Sequence, residues 1–69
     1  MDIRFKIGNR IKDVRGEVNL SQKDLAYSAD LDRSYIASVE SGQRNISIVN
    51  LEKIANSLGV SLSELFEGV

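Results

Sequence analysis

The sequence predicts an all-α fold in which five short helices share one compact core. Three observations predict it. Apolar residues recur at three- and four-residue spacing, each such segment opens or closes at a capping residue, and no segment alternates as a strand does. The first helix runs from about Ile3 to Arg15, with Ile3, Ile7, Ile11 and Val14 on one face and Gly16 near its end. Ser21 opens the second, with Asp24 three residues on as a weak capping box; Leu25, Ala26 and Ala29 face inward and Asp30 stands where it stops. Asp32 is the N-cap of the third, which buries Ile36 and Val39 and ends at Ser41-Gly42. Ser47 caps the fourth, whose stripe of Ile48, Leu51, Ile54, Ala55 and Leu58 ends at Gly59. Ser61-Leu62-Ser63-Glu64 is a full capping box opening a short fifth helix through Leu65 and Phe66. Helices this short are marginal alone and must hold one another through the shared core.

With 69 residues there is room for one domain, residues 1–69, near the lower limit for folding without disulfides or metal. A chain 42% hydrophobic and 28% charged has the composition of an ordinary globule. It contains no Cys and no His, which excludes thiol chemistry, Cys/His metal sites and imidazole catalysis. There is no phosphate-binding glycine loop either, so an enzyme is not expected, nor are a cofactor, a metal or a small-molecule ligand. The start lacks the apolar stretch of a signal peptide and no run reaches membrane-spanning length, so the expected location is cytoplasmic, without a membrane partner. The net charge is −1, but residues 1–16 are locally basic and residues 46–69 locally acidic. The chain can thus present a more positive and a more negative end.

Residues 21–42 carry the functional signal. Two short helices joined by about three residues have the geometry of a helix-turn-helix, and the small Ala26 permits a close crossing. With Ile36 and Val39 turned to the core, Arg33, Ser34, Ala37 and Ser38 face outward. Small polar residues with one Arg at the N-terminal end suit the major groove of double-stranded DNA, where Arg can make a bidentate contact to guanine.

The chain resembles the Xre/lambda-repressor family of helix-turn-helix regulators over essentially its whole length. Ser21-Gln22 with Leu25-Ala26, the Ile36…Glu40-x-Gly42 close and the run from Leu51 to Ser61 carry that resemblance. Asp24-Leu25-Ala26-Tyr27, Leu31-Asp32-Arg33-Ser34-Tyr35-Ile36 and Arg44-Asn45-Ile46-Ser47 resemble, within the family, the controller proteins of restriction–modification systems. The resemblance implies a five-helix lambda-repressor-like domain. It also implies that Gln22 touches a phosphate and that Asp32, Arg33, Ser34 and Tyr35 form the reading end of the recognition helix. Ala37 and Ser38 would continue it, and Arg44 and Asn45 would contact the backbone or groove edge. Phosphate contacts of this kind position the protein and base contacts specify the site. Arg15 and Glu40 match a buried ion pair tying the first helix to the third. Structural readings stand beside these: Gln22 as a helix former, Tyr35 packed on the helix, Arg44-Asn45 as an ordinary turn, and Arg15 and Glu40 as separate surface charges.

Two positions depart from the family pattern. Asn19 and Asp30 stand where turns usually carry Gly, and both residue types tolerate a left-handed backbone best after Gly. Asp30 also places negative charge near the groove, which lowers the expected affinity.

One domain of this size buries little DNA surface, so a homodimer on a pseudo-palindrome is expected. Its interface is expected in residues 46–69, where Ile46, Ile48, Val49, Leu62, Leu65, Phe66 and Val69 offer more apolar surface than the core absorbs. The resemblance further implies a regulator that activates at low occupancy and represses once a second dimer fills the adjacent site, with RNA polymerase as a candidate partner. The rival readings are a phage-type repressor or antitoxin, and a helical protein–protein adaptor that kept the fold without DNA binding.

Overall fold

A computed structural model describes residues 2–69. Its elements are α1 (Ile3–Glu17), α2 (Gln22–Ala29), α3 (Arg33–Glu40), α4 (Ile48–Leu58) and α5 (Leu62–Leu65), with no strand among the described residues. No helix is long and apolar enough to cross a membrane. α3 packs against α1 and α2, α4 against α2 and α5, and α5 returns to α1. Ile11, Leu25, Ile36, Ile54, Leu65 and Val39 are the largest fully buried side chains, so each of the five helices sends at least one residue to the centre. Burial of such side chains, at about 1.5–3 kcal/mol each, is what holds helices of four to fifteen residues in place.

The helix starts are built as the capping residues predict, with one exception. Ser21 and Ser61 form complete capping boxes with Asp24 and Glu64, and the Ser47 hydroxyl accepts from the Asn50 N–H. The backbone N–H of Ser61, donating to Glu64, holds that carboxyl below its ordinary pKa. At the first helix, Asp2 caps the Arg4 N–H and pairs with its guanidinium, which holds the Asp2 carboxyl down at about 2. Asp32 is the exception. It occupies the N-cap place with extended backbone, but its side chain makes no capping hydrogen bond.

The helix ends share one device. Asn19, Asp30, Gly42 and Gly59 all take the left-handed conformation (φ +60°, +57°, +77° and +75°). After each, the next N–H reaches back five residues: Leu20 to Arg15, Leu31 to Ala26, Gln43 to Ser38 and Val60 to Ala55. This closure satisfies carbonyls that the helix leaves orphaned, and three of the four residues following the turn are half-buried apolar side chains. Asn19 and Asp30 thus do the work of glycine at the two predicted turns.

Several expectations need correction. α1 does not stop at Arg15 but runs through Gly16 to Glu17, because the left-handed residue that ends it is Asn19. Ile3 is 57% exposed, at the rim of a shallow groove with Ile7, Ile46 and Phe66. Ile48 shares the helical period of α4 but stands at its first position, uncovered and 63% exposed. Leu65, expected at a subunit interface, is fully buried in the core and offers no surface.

One close approach was not read from the sequence. A Cβ added at Gly8 would lie 2.4 Å from the Val39 carbonyl oxygen and 2.9 Å from that of Glu40, so only glycine lets α1 rest on the end of α3. At Gly16 a Cβ would meet nothing within 4 Å. Gly8→Ala is therefore expected to cost about 1–3 kcal/mol by overpacking. Gly16→Ala, within the helix, is expected to gain roughly 0.5–1 kcal/mol. Chemical denaturation of the two variants checks this, and equal effects would contradict the packing described.

Candidate nucleic-acid interface

Helical spacing places Arg33, Ser34, Ala37, Ser38 and Ser41 on one side of α3, opposite Ile36 and Val39, which are 0% and 1% exposed. Arg33, Ser34 and Ser41 are exposed; Ala37 and Ser38 are half-buried. This side is narrow, lined by small residues and open, with Arg33 the long cationic side chain at its N-terminal end. Asp30 and Asp32 flank that end, both exposed.

Tyr35 lies at the edge of this face and is half-buried against the core. Asn50 Nδ2 donates to its hydroxyl oxygen at 3.0 Å. The Arg44 guanidinium sits over the ring, 4.9 Å from its centre, and Arg44 Nε donates to Ser38 Oγ at 3.1 Å. Arg44 is thereby drawn back from the loop onto the side of α3. Asn45, next to it, is exposed and borders the apolar groove beneath α1.

Behind the face lies the most enclosed charge among the described residues. The Glu40 side chain is 3% exposed and receives Arg15 Nε at 2.6 Å and Arg15 Nη2 at 3.0 Å, a two-pronged pair. Arg15 Nη1 donates to the Leu20 carbonyl at 2.8 Å, and Gln22 Nε2 donates to Glu40 Oε1 at 3.1 Å. The carboxylate, accepting from the guanidinium, raises the already high pKa of Arg15. Gln22, the first residue of α2, has its amide tied to the end of α3 at the position where a phosphate contact is expected.

Of the apolar residues expected at an interface, Val49 and Ile48 are the exposed pair, at 61% and 63%. Ile46, Leu62, Phe66 and Val69 are half-buried and packed on the core. Three contributors were missed in the sequence. Asn50 reads only as a polar residue in the first turn of α4. Phe5 covers Gly42 at the end of α3, where an added Cβ would lie 2.7 Å from its ring. Arg10 donates to the Glu64 and Leu65 carbonyls at 2.9 and 3.1 Å, pinning α5 to α1. Each joins residues far apart in the chain, which helical periodicity does not register.

Comparison with known proteins gives a concordant result. Residues 11–65 match the family model described as Helix-turn-helix. The chain is 51% identical over 69 residues to Control protein C.MunI of a Mycoplasma species, covering 99% of this chain and 93% of that protein. The crystal structure of the restriction-modification controller protein C.AhdI from Aeromonas hydrophila superposes with a TM-score of 0.89 at 46% identity, over 91% of this chain and 96% of that one. The controller protein C.Esp1396I, solved as a tetramer with its natural 35 base-pair operator, superposes with a TM-score of 0.90 at 40% identity, over 97% and 88%.

Removing one member of the buried pair leaves the other charge without its partner. Arg15→Met is expected to cost about 3–5 kcal/mol in denaturation, whereas Arg15→Met combined with Glu40→Leu is expected to recover most of that loss. Losses that simply add would contradict a direct, buried coupling.

Proposed function

The chain belongs to the helix-turn-helix family, and from that premise we propose that it is a sequence-specific DNA-binding transcriptional regulator of the restriction–modification controller type. The observation that carries this reading is the open, small-residue face of α3 with Arg33 at its head, set in a chain similar throughout to controller proteins. α3 enters the major groove, and Arg33 reads a guanine edge. Ser34, Ala37 and Ser38 allow close approach, with Asp32 beside Arg33 and Tyr35 at the edge. Gln22 contacts a phosphate and helps fix the register of the reading helix, and Arg44 and Asn45 contact the backbone or the adjacent groove edge. The function is recognition rather than catalysis, exercised in the cytoplasm, where the DNA is.

Two copies act together on a pseudo-palindromic operator, with the recognition helices about 34 Å apart. The exposed Ile48 and Val49 pair, together with the half-buried Ile46, Leu62, Phe66 and Val69 elsewhere in residues 46–69, supports an isologous contact there. The tetrameric operator complex of C.Esp1396I supports a further step, in which a second dimer fills an adjacent site. In that scheme the first dimer activates through contact with RNA polymerase and the second represses.

Selection of bound fragments from a random duplex pool tests this reading. The recovered sequences are expected to be pseudo-palindromes with half-sites one helical turn apart, bound with an affinity that falls steeply as salt rises. Arg33→Ala is expected to weaken specific binding by about 1–3 kcal/mol and to relax preference at one position per half-site. Equal losses on selected and scrambled duplexes would make Arg33 a phosphate contact. Absence of salt-dependent binding would favour a protein–protein adaptor.

A further inference from the structure

We infer that Asn50, on α4 and outside the helix-turn-helix, is a positioning residue for operator discrimination, acting through Tyr35 on Arg44. The inference rests on the DNA-binding reading given above. It starts from a closed ring of contacts around Tyr35. Asn50 Nδ2 donates to Tyr35 Oη at 3.0 Å, and Ser38 Oγ donates to the Tyr35 carbonyl at 2.9 Å. Ser38 Oγ in turn accepts from Arg44 Nε at 3.1 Å, and the guanidinium rests 4.9 Å from the ring centre. Both ends of the tyrosine are therefore held, the hydroxyl by α4 and the backbone carbonyl by its own helix.

The chemistry of these contacts decides what the ring presents. A hydroxyl that accepts from Asn50 keeps its own proton to donate elsewhere, so Asn50 makes Tyr35 a hydrogen-bond donor at the edge of the reading face. The ring face attracts the Arg44 cation electrostatically, most strongly when the ring keeps one orientation. Arg44 uses Nε on Ser38, which leaves its Nη groups as donors toward DNA. A long arginine on an exposed loop would otherwise sample many rotamers, and ordering it on binding costs conformational entropy. Fixing the ring thus pre-orders the guanidinium before DNA arrives. Asn50 needs no contact with DNA for this.

Neighbouring features separate this role from a purely structural one. The Ser47 cap of α4 uses the Asn50 backbone N–H at 3.1 Å and not its side chain, so Asn50→Ala leaves the cap intact. Alanine is also the better helix former, so the variant is not expected to lose stability through α4.

The test is a double-mutant cycle of Asn50→Ala and Tyr35→Phe. Each variant is titrated with a duplex recovered by selection on the unsubstituted protein, and with a scrambled duplex of the same composition. One neutral hydrogen bond is worth roughly a factor of two to ten, and a dimer carries two copies. Each single variant is therefore expected to lower the ratio of selected to scrambled affinity by about tenfold. For Asn50→Ala, scrambled affinity and melting temperature should stay near those of the unsubstituted protein, and the double variant should lose no more specific affinity than either single one. Additive losses would show that Asn50 and Tyr35 act independently and would overturn the inference. An equal loss on both duplexes for Asn50→Ala would make Asn50 a backbone contact, and an unchanged ratio would remove its role altogether. An unsubstituted protein that binds neither duplex would overturn the DNA-binding reading itself, an outcome distinct from the other three.

Discussion

The Glu40 carboxylate lies at the C-terminal turn of α3, 3% exposed, and receives two N–H groups from Arg15 and one from Gln22. A charge taken out of water at that depth is costly unless it is paired and its remaining lone pairs are satisfied. Here both conditions are met, by residues from two other elements. Arg15 belongs to α1 and Gln22 begins α2, so a single carboxylate ties three helices at one point. Sliding α3 along α1, or tilting α2 away from it, would break these hydrogen bonds. Apolar burial of Ile11, Leu25, Ile36 and Val39 supplies most of the stabilisation, but apolar contacts tolerate small shifts that a two-pronged ion pair does not.

The same place is tight in a second sense. Gly8 brings the α1 backbone against the Val39 and Glu40 carbonyls, and Phe5 closes over Gly42 just beyond. The end of α3 is therefore held by contact, by charge and by a left-handed closure, while its beginning is left open. Arg33 and Ser34 stand on that open beginning, and Asp32 makes no cap there. Rigidity at one end and exposure at the other is the arrangement a reading helix needs, because base contacts require a fixed angle and an uncovered face.

The helices were legible in the sequence because each is bounded by a residue with a local reason to be there. Ser21, Ser47 and Ser61 open helices by accepting from backbone N–H groups, and Asn19 and Asp30 end them in the left-handed region. Those reasons act within a few residues and survive without tertiary information. Ile3 and Ile48 have the right period and the wrong surroundings, since a helix end can project past whatever would cover it. Leu65 reversed the other way, because α5 is so short that its one fully buried position is wholly consumed by the core. At the candidate interface the outward residues of α3 followed from periodicity. The Asn50–Tyr35–Arg44 chain did not, being a contact between side chains on separate elements that leaves no trace in spacing.

In this account the Glu40 network sets geometry more than stability: it fixes the start of α2, with its expected phosphate contact at Gln22, against the reading helix. The most direct test is the affinity of the Arg15→Met, Glu40→Leu double variant for the selected duplex, measured where the variant is fully folded. Loss of the fixed spacing is expected to weaken binding by at least about tenfold, some 1.4 kcal/mol, although the fold is retained. A double variant that is folded and binds the selected duplex as tightly as the unsubstituted protein would contradict the account.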